Sequence, residues 1–153
     1  MKNILILICL IVFNTLLLAQ KIEQFQEEFS FEKADANNVL VIGNMFGTIK
    51  VEAYDGEKVM MEYQRSITAK SDQLYQKALK EIKLNITNTG DSIIIYFVPP
   101  CYAQNAVDRI RNFSTGSING FCWNNCNWNP RYKFSLNFTI KVPRNLNLFL
   151  STI

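Results

Sequence analysis

Apolar residues recur at every second position through much of this chain. "FQEEFSF" (Phe25–Phe31) carries aromatics at Phe25, Phe29 and Phe31. "NVLVIGN" (Asn38–Asn44) is rich in β-branched residues and bounded by Asn and Gly. "GTIKVEAY" (Gly47–Tyr54) alternates Ile49, Val51 and Ala53 with Thr48, Lys50 and Glu52, the pattern of a half-buried strand. Asp55-Gly56 follows, and a glycine there offers the positive φ of a tight hairpin turn. "EKVMMEYQRSI" (Glu57–Ile67) is then expected to return as the hairpin partner.

The period changes at Ser71. Leu74, Ala78 and Ile82 stand four residues apart with Leu79 beside them, and Lys77, Lys80, Glu81 and Lys83 fill the other face. This predicts one amphipathic helix of about three turns, capped by Ser71 or Asp72. "KLNITNTGDSIIIYFVPP" predicts a second hairpin turning near Thr89-Gly90-Asp91. Its second arm, Ser92–Val98, is a nearly continuous apolar run and reads as a core strand. Pro99-Pro100 ends it, since proline donates nothing to a sheet ladder.

Residues 99–132 have no sustained period. "YKFSLNFTIKVP" (Tyr132–Pro143) then gives the clearest strand, with Phe134, Leu136, Phe138, Ile140 and Val142 on one face. Leu146–Ile153 begins another, with Leu146, Leu148 and Leu150 on one side and no turn signal after it. Such a strand either closes a sheet or is the front part of a longer chain, and the second is the expectation here. Left exposed, it is also a strand that pairs with another chain.

The N-terminus has a different character. Lys2 precedes an apolar run, Ile4–Phe13 and Leu16–Leu18, interrupted only by Asn14 and Thr15 and followed by the small residue Ala19. That is the layout of a secretory signal peptide over residues 1–19, leaving a single β-rich domain over residues 20–153. The run is short for a membrane span, which needs roughly 20 residues. Export, to the periplasm, outer surface or medium, is the expected localisation, with no stable membrane span once the signal is removed. Cys9 lies inside the apolar run and is poorly placed for lipid attachment.

Charge narrows the function classes. The chain has 16 basic and 13 acidic residues, too small an excess to argue for nucleic acid. The net charge is uneven: residues 99–153 carry Arg109, Arg111, Arg131, Lys133, Lys141 and Arg144 against Asp108 alone, while the other acids lie earlier. A modestly basic end suits an anionic surface or is simply solvated. Histidine is absent. That excludes Ser-His-Asp and Cys-His nucleophile activation and His-containing zinc sites. Glu27 and Glu28 fall on opposite faces of a strand, so they make no acid–base pair. Asn85, Asn112 and Asn137 each head an N-x-S/T triplet, to which no role is given.

Gly47-Thr48-Ile49-Lys50-Val51 leading to Tyr54-Asp55-Gly56, with Val142-Pro143-Arg144-Asn145 near the end, resembles a bacterial envelope family. These are the putative-adhesin or β-strand-repeat proteins of unknown function. The likeness covers Phe29–Val98 and Phe134–Ile153. It implies that the Val-Pro-Arg-Asn element leads into short strands stacked as a β-solenoid. It brings no catalytic residue. This chain departs from the pattern by ending where the repeats should begin, and by carrying a cysteine-rich segment before Lys133.

That segment, "FCWNNCNWNP" (Phe121–Pro130), belongs to the long connection at residues 99–132. An exported chain meets an oxidising compartment, so Cys101, Cys122 and Cys126 are disulfide candidates. Cys101 with Cys122 or Cys126 is favoured, because closing a loop of roughly 22–26 residues stabilises by about 3 kcal/mol. A zinc site would need Asp108 as fourth ligand, and no paired CxxC supports one; CxxxC is not the usual redox spacing. Trp123, Trp128, Tyr102 and Tyr132, among asparagines, are candidate ligand-binding residues for a sugar or protein. Alternatively, the tryptophans fold inward and cover a face of the sheet.

The fold class expected is therefore mainly β: antiparallel strands and hairpins with one amphipathic helix, leading into a β-solenoid if the chain continues. The expected function is a non-catalytic structural or adhesin-like module of the cell envelope, with no cofactor or metal, partnered by a surface glycan or envelope protein. The alternative is a small glycan- or protein-binding domain using the Trp/Cys-rich loop.

Overall fold

A computed structural model describes residues 20–33, 35–100 and 128–152. The strands are β1 (Gln20–Phe29), β2 (Val39–Asn44), β3 (Ile49–Tyr54), β4 (Val59–Thr68), β5 (Leu84–Asn88), β6 (Ser92–Phe97), β7 (Lys133–Pro143) and β8 (Asn147–Thr152). Among the described residues there is one helix, α1 (Asp72–Glu81), between β4 and β5. The strands form two four-stranded sheets, β1-β4-β7-β3 and β5-β6-β2-β8. We call them the first and second sheet.

The described residues are mainly β with one helix, but their sheets are mixed rather than antiparallel throughout. β2 runs parallel to both β6 and β8, and β3 runs parallel to β7. Each of these pairs joins strands that are not consecutive, with the chain passing through the other sheet in between, so no hairpin turn fixes the return as antiparallel.

The expected β3–β4 hairpin does not form. β7 lies between the two, antiparallel to β4 and parallel to β3. Residues 55–58 therefore span two strand spacings, about 10 Å, rather than making a two-residue turn. Gly56 does not take a positive φ. It is small for another reason: a Cβ there would stand 2.1 Å from the Tyr54 ring, whose hydroxyl donates to the Lys58 carbonyl at 2.8 Å. The second hairpin, β5–β6, forms as expected, with Gly90 at φ 91° in its turn. Ser71 caps α1, accepting from the Leu74 N–H at 3.3 Å, and Ala78 and Ile82 are buried.

The core lies between the sheets. Leu40, Ile42, Ile93, Ile95 and Phe97 come from the second sheet; Val59, Met61, Ile67, Leu136, Phe138, Ile140 and Val142 come from the first. Cross-strand pairs such as Met61 with Ile140 put these residues on one face. The unbroken apolar run of β6 has a simple cause. Ile94 and Tyr96 face the other way and form a second buried group with Val41.

The β2–β3 turn is held to β7 by several bonds. Asn44 is buried and donates through Nδ2 to the Leu136 carbonyl at 2.8 Å. The Leu136 N–H donates to the Phe46 carbonyl, and the Phe138 N–H to that of Thr48, both at 2.8 Å. Asn137 Oδ1 accepts from the Thr48 N–H and hydroxyl at 3.1 Å each. Gly47 sits between them at φ 127°, where a Cβ would lie 2.1 Å from the Leu136 oxygen. Gly47→Ala combines a backbone penalty with this clash. It is expected to cost at least about 2 kcal/mol, seen as a lower urea midpoint at unchanged slope.

Candidate interaction edge

Two open sheets have four edges to protect, and this protein treats them unequally. β1 carries charge on its inward face: Lys21, Glu23 and Glu27 pair in register with Ile67, Arg65 and Met61. Glu23 Oε2 accepts from Arg65 at 2.7 and 2.8 Å, and Arg65 also donates to the Ile82 carbonyl at the end of α1 at 2.9 Å. Lys21 lies 4.0 Å from the centre of the Tyr75 ring. Inward charges and a covering helix are the ordinary protection of an edge. β5 is only five residues long and carries Asn85 and Thr87 on its outward face.

Among the described residues β8 has no such protection. "NLFLST" contains no charge, proline or glycine. In register with β2, Leu148 and Leu150 continue the core row of Leu40 and Ile42, while Phe149 lies beside Val41 on the outer face. Leu148, Phe149 and Leu150 are 37%, 38% and 45% exposed. β3, the edge of the first sheet, likewise leaves Ile49 and Val51 half-buried and Ala53 exposed. The Thr152 hydroxyl donates to the Gly47 carbonyl at 3.3 Å. That bond brings the end of β8 to the start of β3, so both bare edges flank the same side. Among the described residues no strand pairs the free side of either.

The sequence's candidate binding aromatics are placed differently. Tyr132 is buried, and its hydroxyl donates to Glu81 Oε2 at 2.5 Å. Trp128 is half-buried. Its ring centre lies 5.6 Å from those of both Phe97 and Phe134, and 6.3 Å from that of Tyr132. These two residues pack inward over the core. Phe46, which the sequence did not single out, stands edge-on to Phe134 at 5.1 Å and is exposed. Cys101, Tyr102, Cys122, Trp123 and Cys126 lie outside the described residues.

A cleft of about 720 Å³ opens where the turns meet, lined by Glu32, Asp35, Asp55, Glu57, Lys58 and Arg144 among others. Most of its charge is already engaged. Arg144 grips Asp55 with bonds of 2.5 and 3.2 Å, and this hydrogen bonding lowers the Asp55 pKa from its ordinary value. Asp35 accepts from the Asn37 backbone and side chain at 2.9 and 3.0 Å, and Lys58 pairs with Glu28 at 3.0 Å. Among the described residues, no three His, Cys, Asp or Glu side chains are grouped to hold a metal ion.

Compared with family models, curated proteins and solved structures, the chain matches none. Among the described residues no helix is long and apolar enough to cross a membrane.

The Tyr132 phenol is pushed well above its ordinary value of 10.0, first by burial and then by its bond to Glu81. A group whose folded pKa is raised holds its proton more tightly when folded. Its contribution is complete below pH 10 and is lost as pH rises towards the folded value. Alkaline melting curves should show stability falling above about pH 10. Tyr132→Phe should flatten that fall and cost about 1 kcal/mol at neutral pH.

Proposed function

We propose that this chain is an exported, non-catalytic structural or adhesin-like module of the cell envelope, and that it joins further β-structure through the β3/β8 side. The observation that carries the reading is the contrast between edges. β1 is defended by inward charge and α1, whereas β8 offers an uncharged apolar strand beside a half-open core. An edge of that kind is a ready template for another strand.

Two further features support it. β6, β2 and β8 run parallel side by side, as do β7 and β3, so added strands could continue both ladders. The resemblance to strand-repeat envelope proteins implies stacking of the same kind. Packing of Trp128 and Tyr132 against the core turns weight away from those rings as a ligand platform. A surface glycan or envelope protein remains the partner class. A disulfide from Cys101 to Cys122 or Cys126 suits an exported chain.

Leu148→Lys/Leu150→Lys places two charges on the inner row of the edge. Produced with its first residues in a bacterial host, the native chain should begin at Gln20 after export and be retained in envelope material. The double variant, folded by circular dichroism, should be exported equally and released at least several-fold more. Equal retention of the two would remove the edge from the function.

A further inference from the structure

The bare side has a property beyond lack of protection: each of its two strands is self-complementary. In β3 the order is Ile49-Lys50-Val51-Glu52-Ala53. Turned about Val51 by a two-fold axis, a second β3 sets Lys50 opposite Glu52 twice, one pair on each side of the axis. It also sets Ile49 opposite Ala53, again twice, and Val51 opposite itself. In β8 the order is Asn147-Leu148-Phe149-Leu150-Ser151. Turned about Phe149, it sets Leu148 opposite Leu150 and Asn147 opposite Ser151. Directly opposed residues in an antiparallel pair share a face. The apolar pairs therefore fall on the core side and the ion pairs on the outer side.

The free backbone groups agree with this register. The Thr48 carbonyl accepts from Phe138 of β7. In a parallel ladder the bonding residues alternate, so Ile49, Val51 and Ala53 turn their N–H and C=O groups away from β7. Those are the residues that bond in an antiparallel pairing centred on Val51. Asn147 donates its N–H to the Asn38 carbonyl at 3.2 Å. By the same alternation Leu148 and Leu150 point their groups to the free side, where the Leu148–Leu150 pairs need them. The two centres also lie at similar heights. Val51 is four residues from Gly47, and Phe149 is three from Thr152, which bonds to Gly47. The offset is about one residue, roughly 3.3 Å.

We infer that the occupant of this side is a second copy of the same chain, docked by a two-fold axis so that β3 pairs with β3 and β8 with β8. This rests on the reading of the β3/β8 side as the joining surface. Each sheet becomes continuous across the dimer, and the half-exposed leucines of both copies close over one another. A two-fold interface built from one repeated patch is the commonest form of protein self-association.

A charge exchange tests the register directly. Lys50 and Glu52 are exposed, so their exchange leaves the core untouched. Sedimentation of the purified chain over a range of concentrations should show a reversible dimer. Lys50→Glu converts both ion pairs into like-charge pairs and should weaken the dimer about tenfold. The double exchange Lys50→Glu/Glu52→Lys should restore it, with melting curves showing all forms folded. A chain that stays monomeric overturns the inference, as does a dimer indifferent to Lys50→Glu or one the double exchange does not restore. If dimerisation fails while Leu148→Lys/Leu150→Lys still releases the chain from the envelope, the joining surface stands and its partner is another protein.

Discussion

The fold depends on one insertion, β7 between β3 and β4. It is pinned where the backbone at Gly47 comes against the Leu136 carbonyl and Asn44 reaches the same oxygen from within the core. Without β7 the first sheet would lose its centre, since β7 is the neighbour of both β3 and β4. The inner row of β7, Leu136 to Val142, also supplies much of the buried apolar surface. Burial of such residues is the main favourable term in folding, and here it is concentrated on a strand far along the chain from its partners.

That distance explains what sequence could reveal. Strand positions were legible because alternation is local. β3, β7 and the polar break at Ser71 are plain in the residue pattern, and Ser71 caps α1 as its chemistry requires. Pairing was less legible. Asp55-Gly56 carries the composition of a hairpin turn, yet its glycine answers to the Tyr54 ring, a contact no spacing rule displays. The parallel pairs of β2 and β3 join strands far apart in the chain with no hairpin between them, which alternation does not encode. β1 extends to Gln20 because its charged inward residues find Arg65 and Tyr75, so its front half lacked the apolar period that marks a strand.

The candidate site followed the same division. The apolar face of β8 could be read directly, and among the described residues it lies at a sheet edge. The aromatic segment was conspicuous by composition, but composition does not say which way a ring turns. For Trp128 and Tyr132 the answer is inward, with Glu81 waiting for the phenol. Phe46 was missed because it stands alone in a turn. The relation between the β3 and β8 edges needed the Thr152–Gly47 contact, which joins residues more than a hundred positions apart.

The placement of β7 also bears on how the chain is made. The strand at the centre of the first sheet is synthesised after β1, β3 and β4, so that sheet cannot be completed until β7 has emerged. β3 and β4, joined by a short polar link, are then free to pair with each other wrongly until β7 displaces one of them. Long-range strand pairing is intrinsically slow. A chain that delays its core in this way leaves the apolar faces of β1, β3 and β4 open until β7 arrives, and only then can the first sheet close over the second.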